Sequence, residues 1–236
     1  MNRVALTLID LLFPESCILC GKWILDRVGD YPLCPSCKKT LQVLKGRRCQ
    51  ICSTVLTSQQ ETCLECRSIT FAFQQNLSFG LYRGALKEIL LAYKSRGIQR
   101  LKGLFAELVY ELWKTAYEGL PIVPVPSRPE SVKERGFDPM REICKDLQKK
   151  YQLDIRYILS RHKGTCQQKV LGKEERRANL KNAYFLSQPT VKSFPFLKKV
   201  VLLDDVFTTG ATLHACSEIL KMAGTEQIYG LTLARD

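Results

Sequence analysis

Two stretches of this 236-residue chain carry residue types at spacings that do chemistry. The first lies before residue 67. It holds eight of the eleven cysteines as four C-x2-C pairs: Cys17 and Cys20, Cys34 and Cys37, Cys49 and Cys52, Cys63 and Cys66. The second is VVLLDDVFTTGAT at residues 200–212, where an apolar run meets two acids, two more apolar residues and a hydroxyl-rich turn.

A C-x2-C turn sets two thiolates about one metal's width apart, and two such knuckles supply the four-sulfur tetrahedron that Zn2+ accepts. With every position filled by protein, none is left for water or substrate, so the site is structural. Metal binding then folds a segment too small to fold on apolar burial. The first two pairs are separated by 13 residues and the last two by 10, the mark of a duplicated unit. We assign Cys17, Cys20, Cys34 and Cys37 to one zinc and Cys49, Cys52, Cys63 and Cys66 to a second; an interleaved pairing stays open at this point. Redox thiols account poorly for four regular pairs, and no secretion signal accompanies them as it would disulfides.

In residues 200–212 each part has its own physics. A buried strand delivers the loop at the carboxyl edge of a sheet, where doubly wound folds bind ligands. Asp204 and Asp205 can accept hydrogen bonds from vicinal ribose hydroxyls. Thr208, Thr209, Gly210, Ala211 and Thr212 open a helix, and their N–H groups form an anion cradle with glycine permitting close approach. The order of acid pair and cradle suits a ribose 5-phosphate lying along the loop.

These sites need elements to hold them. Alternation marks a strand at residues 76–82, and short apolar runs mark strands at 121–126, 199–203 and 228–234. Three- and four-residue apolar spacing marks helices at 85–93, 101–117 and 212–223, the last stopped by Gly224. Residues 136–150 read as a turn that becomes helical, and 160–180 as a polar, mobile loop. Alternating strands and helices predict an α/β fold with a parallel sheet and helices on both faces. We expect a double zinc-ribbon domain over residues 1–68 and the α/β domain over 69–236. Residues 4–14 are the most apolar run near the N-terminus, too short for a bilayer and interrupted by Asp10, and read as a short amphipathic helix. No other run approaches membrane length, so we expect no membrane span and a cytoplasmic protein.

The loop resembles the 5-phosphoribosyl-1-pyrophosphate (PRPP) motif of type I phosphoribosyltransferases, apart from Phe207, where a smaller aliphatic residue is usual. Purine-salvage members often place a general-base Asp where this chain has Thr208. The resemblance widens along the chain. Paired cysteines, LAYKSRG (91–97), VPVP (123–126), ERGF (134–137), QKVL (168–171) with RRANL (176–180), and then the loop follow in the order of the ComF family of competence-associated proteins. Asp138 and Pro139 depart from that family's usual Asn-Gln.

The resemblance implies a type I phosphoribosyltransferase-like fold that binds PRPP with Mg2+. Lys94, Arg96 and the Gly97 backbone are then candidates for holding pyrophosphate. Arg128, Lys133 and Arg135 could close over it or meet a partner, and residues 161–177 could form a lid or a nucleic-acid groove. The process implied is DNA uptake in natural transformation, with single-stranded DNA and a DNA-translocating helicase as partners. The alternative is an active phosphoribosyltransferase of nucleotide metabolism with an unidentified acceptor. The end of the chain at Asp236, just after the last strand, leads us to expect no C-terminal hood over a base. A formal charge of +13 fits polyanionic partners, and Lys38, Lys39, Lys45, Arg47 and Arg48 tilt the cysteine region toward nucleic acid. Neither His162 nor His214 has a partner pattern, and both read as solvated.

Overall fold

The computed structural model describes residues 15–24, 29–163, 183–187 and 197–236. The expected N-terminal helix at 4–14, the QKVL and RRANL segments, Cys166 and most of the 161–177 cation run lie outside these residues.

Four strands form one parallel sheet: β1 (Gln75–Leu81), β2 (Ile122–Pro124), β5 (Lys199–Phe207) and β6 (Gln227–Arg235), in the spatial order β1-β6-β5-β2. The central strands read as near-continuous apolar runs because both of their faces are covered. Val201, Leu203, Leu231 and Leu233 join one core; Val200, Leu202 and Ile228 join the other. Helices α3 (Gly84–Lys94), α4 (Lys102–Ala116) and α6 (Pro139–Tyr151) pack on the first face. In α3 the buried set Leu86, Ile89, Leu90 and Tyr93 follows helical spacing, which directs one stripe at the sheet. Helix α7 (Ala211–Met222) covers the second face through Leu213, Cys216 and Leu220.

Three features depart from the sequence reading. Strand β5 does not stop at Leu203 but runs on through both acids to Phe207, paired with β6 as far as Arg235. Residues 129–135, where no element was expected, form helix α5 (Pro129–Arg135), begun by Pro129 and ended by Gly136 at φ +77°. The supposed loop from residue 160 also begins as a strand: β3 (Leu159–Arg161) pairs antiparallel with β4 (Tyr184–Leu186).

Among the described residues, the cysteine-rich region holds two short helices, α1 (Pro35–Lys39) and α2 (Leu64–Arg67). It packs on the sheet rather than hanging from it. Cys17, Tyr31 and Leu33 share the α3/α4/α6 core, while Cys49, Cys52 and Cys66 share the α7 core. Tyr31 Oη and Lys38 Nζ both donate to Glu107 of α4, at 2.9 and 2.5 Å. An exposed strand edge invites pairing with other chains, and here the region around the second cysteine group closes β1. The N–H of Asn76 donates to Gln50 O (2.7 Å), that of Leu44 to Phe79 O (2.8 Å), and that of Ser78 to Ser53 Oγ (2.9 Å).

Candidate functional site: an acid-pair cleft and two four-cysteine groups

Strand β2 runs out at Pro124 opposite Leu203, where the Val125 N–H gives the last bond to β5. Beyond that point β5 is paired on one side only, and the cleft opens where its partner has left. Its volume is about 350 Å³, and Asp204, Asp205 and Val206 form its floor. Around them stand Lys94, Arg128, Arg135 and Arg161, with the hydroxyls of Ser127, Ser131, Thr212 and Tyr184. Four cations against two acids, at the carboxyl end of a parallel sheet, make an anion-receiving site.

Each acid is already engaged. Lys94, the last residue of α3, places Nζ 2.5 Å from Asp205 Oδ2. Asp204 Oδ1 accepts the N–H of Asp205 at 2.9 Å. Burial, with the Asp205 charge beside it, pushes the Asp204 carboxyl up to about 7, against the opposing pull of the Asp205 N–H, Lys94 and Arg161. Arg161 lies over the Tyr184 ring, 4.9 Å from its centroid, and its Nη1 donates to Tyr184 Oη at 2.9 Å. Arg161 Nε is buried without a hydrogen-bond partner among the described residues, leaving a donor to be satisfied.

The sequence-derived candidates divide. Lys94, Asp204, Asp205 and Thr212 meet in the cleft, whereas Arg96 is exposed and not part of its wall. Thr208, Thr209, Gly210 and Ala211 turn from β5 into α7 beside the cleft without lining it. Gly210 takes φ +75° there, and the Ala211 N–H reaches Thr209 Oγ1 at 3.4 Å. Arg128 and Arg135 stand on the rim, Lys133 away from it. Sequence reasoning missed Ser127, Ser131 and the Arg161–Tyr184 pairing. The Asp138-Pro139 departure is a helix cap: Asp138 Oδ1 accepts from the N–H groups of Met140 (3.1 Å) and Arg141 (3.3 Å) and from Ser127 Oγ (2.9 Å). It thereby fixes a cleft hydroxyl. His162 is exposed and packs on Phe185, but His214 is not simply solvated: it is half-buried, and its Nδ1 accepts the Ala72 N–H at 3.0 Å.

The cysteines fall into two groups, Cys17/Cys20/Cys34/Cys37 and Cys49/Cys52/Cys63/Cys66, each with its sulfurs within 4.8 Å of one another. The pairing is sequential rather than interleaved. A tetrahedron with Zn–S of about 2.3 Å has sulfurs about 3.8 Å apart. Cys20 and Cys34 are 3.8 Å apart and Cys52 and Cys63 are 3.7 Å apart, so the donor sets fit zinc. Backbone N–H groups donate to two of the sulfurs, from Cys37 to Cys34 Sγ (3.4 Å) and from Cys63 to Cys49 Sγ (3.3 Å). The hydrogen bond from Cys66 holds Cys52 down to about 4 against burial, helped by the Thr54 N–H and the charge of Arg235. Lys38 and Arg48, two of the cations that tilted this region toward nucleic acid, are half-buried: Lys38 is bound to Glu107, and Arg48 Nη1 donates to Ser78 O.

Residues 8–67 match the family model of the double zinc ribbon domain. That match and the two groups support two structural zinc sites. Among the described residues no helix is long and apolar enough to cross a membrane. Along nearly its whole length the chain is similar to curated proteins. Competence protein F of Haemophilus influenzae is 29% identical over 210 residues, covering 86% of this chain and 90% of that protein. Competence protein ComFC of Streptococcus pneumoniae is 26% identical over 239 residues, covering 93% and 99%. The DNA utilization protein YhgH of Escherichia coli K12 is 26% identical over 233 residues, covering 95% and 99%. With its zinc-ribbon region ahead of a parallel α/β sheet and relatives named competence protein F and ComFC, the chain is similar over nearly its whole length to the ComF family, which these matches support.

Proposed function

We propose that the cleft binds PRPP with Mg2+, and that the protein serves the handling of DNA during uptake, as the names of its relatives indicate for them. One observation carries the ligand reading. Asp204 and Asp205 lie at the open carboxyl end of β5, ringed by Lys94, Arg128, Arg135 and Arg161, with the 208–212 turn entering α7 alongside. The acids suit ribose hydroxyls, the turn a 5-phosphate and the cations a pyrophosphate. Arg161 Nε offers a buried donor that an anion would satisfy.

The carboxylates are hard oxygen donors and fit Mg2+. Among the described residues no third acid, histidine or cysteine joins them, as suits a cation held largely by the ligand's own phosphates. Bound there, Mg2+ would neutralise charge on the pyrophosphate. On ligand entry Lys94 exchanges Asp205 for phosphate oxygens, which frees the acid for a hydroxyl or the cation.

An active phosphoribosyltransferase is the second reading, supported by the four cations around the acid pair, which would neutralise a leaving pyrophosphate bound among them. For the DNA role, exposed Lys39, Lys45 and Arg47 on the zinc-ribbon region are the described candidates to meet a single strand, and a DNA-translocating helicase is the partner we propose. Calorimetry with PRPP–Mg2+, then with single-stranded DNA on the same sample, tests both halves. Absence of PRPP binding to the intact chain sinks the ligand reading.

A further inference from the structure

Gly210 is the turn residue between β5 and α7, at φ +75°. A Cβ at this position would lie 2.8 Å from Phe207 Cζ and 2.8 Å from Phe71 Cε1. The turn is therefore clasped between two rings. One belongs to its own strand; the other comes from the segment that leaves the second cysteine group just after Cys66.

That segment is fastened in several ways. Phe71 packs on Phe73, centroids 5.0 Å apart, and stands edge-on to His214 at 6.2 Å. Phe73 stands edge-on to Phe207 at 6.4 Å and shares a buried cluster with Cys49, Cys52, Cys66 and Phe207. The Ala72 N–H donates to Nδ1 of His214, which sits in the first turns of α7. An accepting Nδ1 leaves the proton of the neutral ring on Nε2, which is 3.7 Å from Glu218 Oε2. Residues 71–73 thus hold both the turn glycine and the start of the helix. An anion cradle binds well only if its N–H groups converge before the ligand arrives. Within the turn itself the hydrogen bond from the Ala211 N–H to Thr209 Oγ1 is long, at 3.4 Å, so outside support matters.

We infer that Phe71 and His214 are positioning residues for the 208–212 anion cradle, acting from the segment that follows the second cysteine group. This rests on the reading of that turn as a phosphate site. Both side chains are half-buried at the surface of the cluster rather than at its centre.

The test is calorimetry of PRPP–Mg2+ on the full chain and on Phe71→Ala, His214→Ala and His214→Asn, with a melting curve and zinc content for each. Asparagine keeps an oxygen near the Nδ1 position to accept the Ala72 N–H. The expected result is PRPP binding about five- to tenfold weaker in Phe71→Ala and His214→Ala, as loss of one modest contact gives. Zinc content and melting stay near the parent's, and His214→Asn restores affinity. Unchanged affinity in both alanine variants overturns the inference. So does His214→Asn binding as weakly as His214→Ala, or zinc loss with a collapsed melting curve in both alanine variants, which would make the pair ordinary core. Failure of the parent chain to bind PRPP is a different outcome, and it removes the ligand reading itself.

Discussion

Lys94 Nζ and Asp205 Oδ2 meet at 2.5 Å across the cleft, joining the end of α3 to the open end of β5. The ammonium offsets the charge of an acid pair that would otherwise repel itself. It also stands where a phosphate can take it over. Lys94→Met is expected to weaken PRPP–Mg2+ binding by about ten- to a hundredfold, the effect of removing a charged hydrogen-bond donor. A titration that matches the parent would show that Lys94 serves the acid alone.

Removing the acids tests the other partner. Asp204→Ala with Asp205→Ala is expected to lower PRPP affinity by about tenfold or more, because acceptors for two hydroxyls vanish. Melting without ligand should not fall, since the two carboxylates repel each other in a half-buried site. Parent-like affinity in the double variant would leave the pair without a ligand role.

Acidity gives a third prediction. The folded-state Asp204 is pushed up to about 7, above the ordinary carboxylate range, by burial and by Asp205. The folded chain therefore holds this proton where the unfolded chain has lost it. The contribution to stability is fully present below about pH 4, the ordinary Asp range, and is lost as pH rises toward 7. Asp204→Asn mimics the protonated acid at every pH. In melting experiments it should be more stable than the parent at pH 8, with the difference shrinking toward pH 5. PRPP affinity of the parent should rise over the same interval as the carboxylate forms. A stability difference independent of pH would show that Asp204 titrates normally.

Much of this was legible in local pattern, and most of what was missed is nonlocal; helix α5, bounded by Pro129 and Gly136, is the local exception. Apolar periodicity found α3, α4 and α7 because each buries one stripe. The run Val200–Leu203 found β5, but its end was misjudged: Asp204 and Asp205 break the apolar pattern while their backbone still pairs with β6. The C-x2-C spacing carried the thiol groups because each is built from residues near in sequence. Arg161 and Tyr184 are 23 residues apart, and Ala72 and His214 are 142 apart. No periodicity reports such a meeting, so the cleft's arginine and the cradle's tether appear only in the fold.

Metal content comes next. Elemental analysis of chain purified without added metal should give about two Zn2+ per chain, from two four-thiolate groups. Cys49→Ser with Cys52→Ser is expected to lower the melting temperature of the whole chain. Independent unfolding of a small ribbon is not expected, since the second group lies in the α7 core and the region around it closes the β1 edge. Two separate transitions in calorimetry, with the second unshifted, would show that the ribbon folds alone.

The last prediction concerns DNA. Phosphate neutralisation releases counterions, so affinity for a single strand falls with salt by about 0.7 log units per log unit for each phosphate contacted. In the zinc-ribbon region Lys38 and Arg48 are half-buried on Glu107 and Ser78, which leaves Lys39, Lys45 and Arg47 as the exposed members of that set, Arg47 with one donor on Gln59 O. Charge reversal at these three should flatten the salt slope by about two units if all three reach phosphates. Trp23 is 63% exposed in the same region, next to Lys22, and offers a face for one base. Trp23→Ala should weaken binding without changing the slope, because stacking releases no counterions. Equal slopes in the parent and the charge-reversed chain, with affinity retained, would place the strand on cations outside this region. An unbound strand at physiological salt, with PRPP bound, would turn the basic surface toward a protein partner and favour the transferase reading.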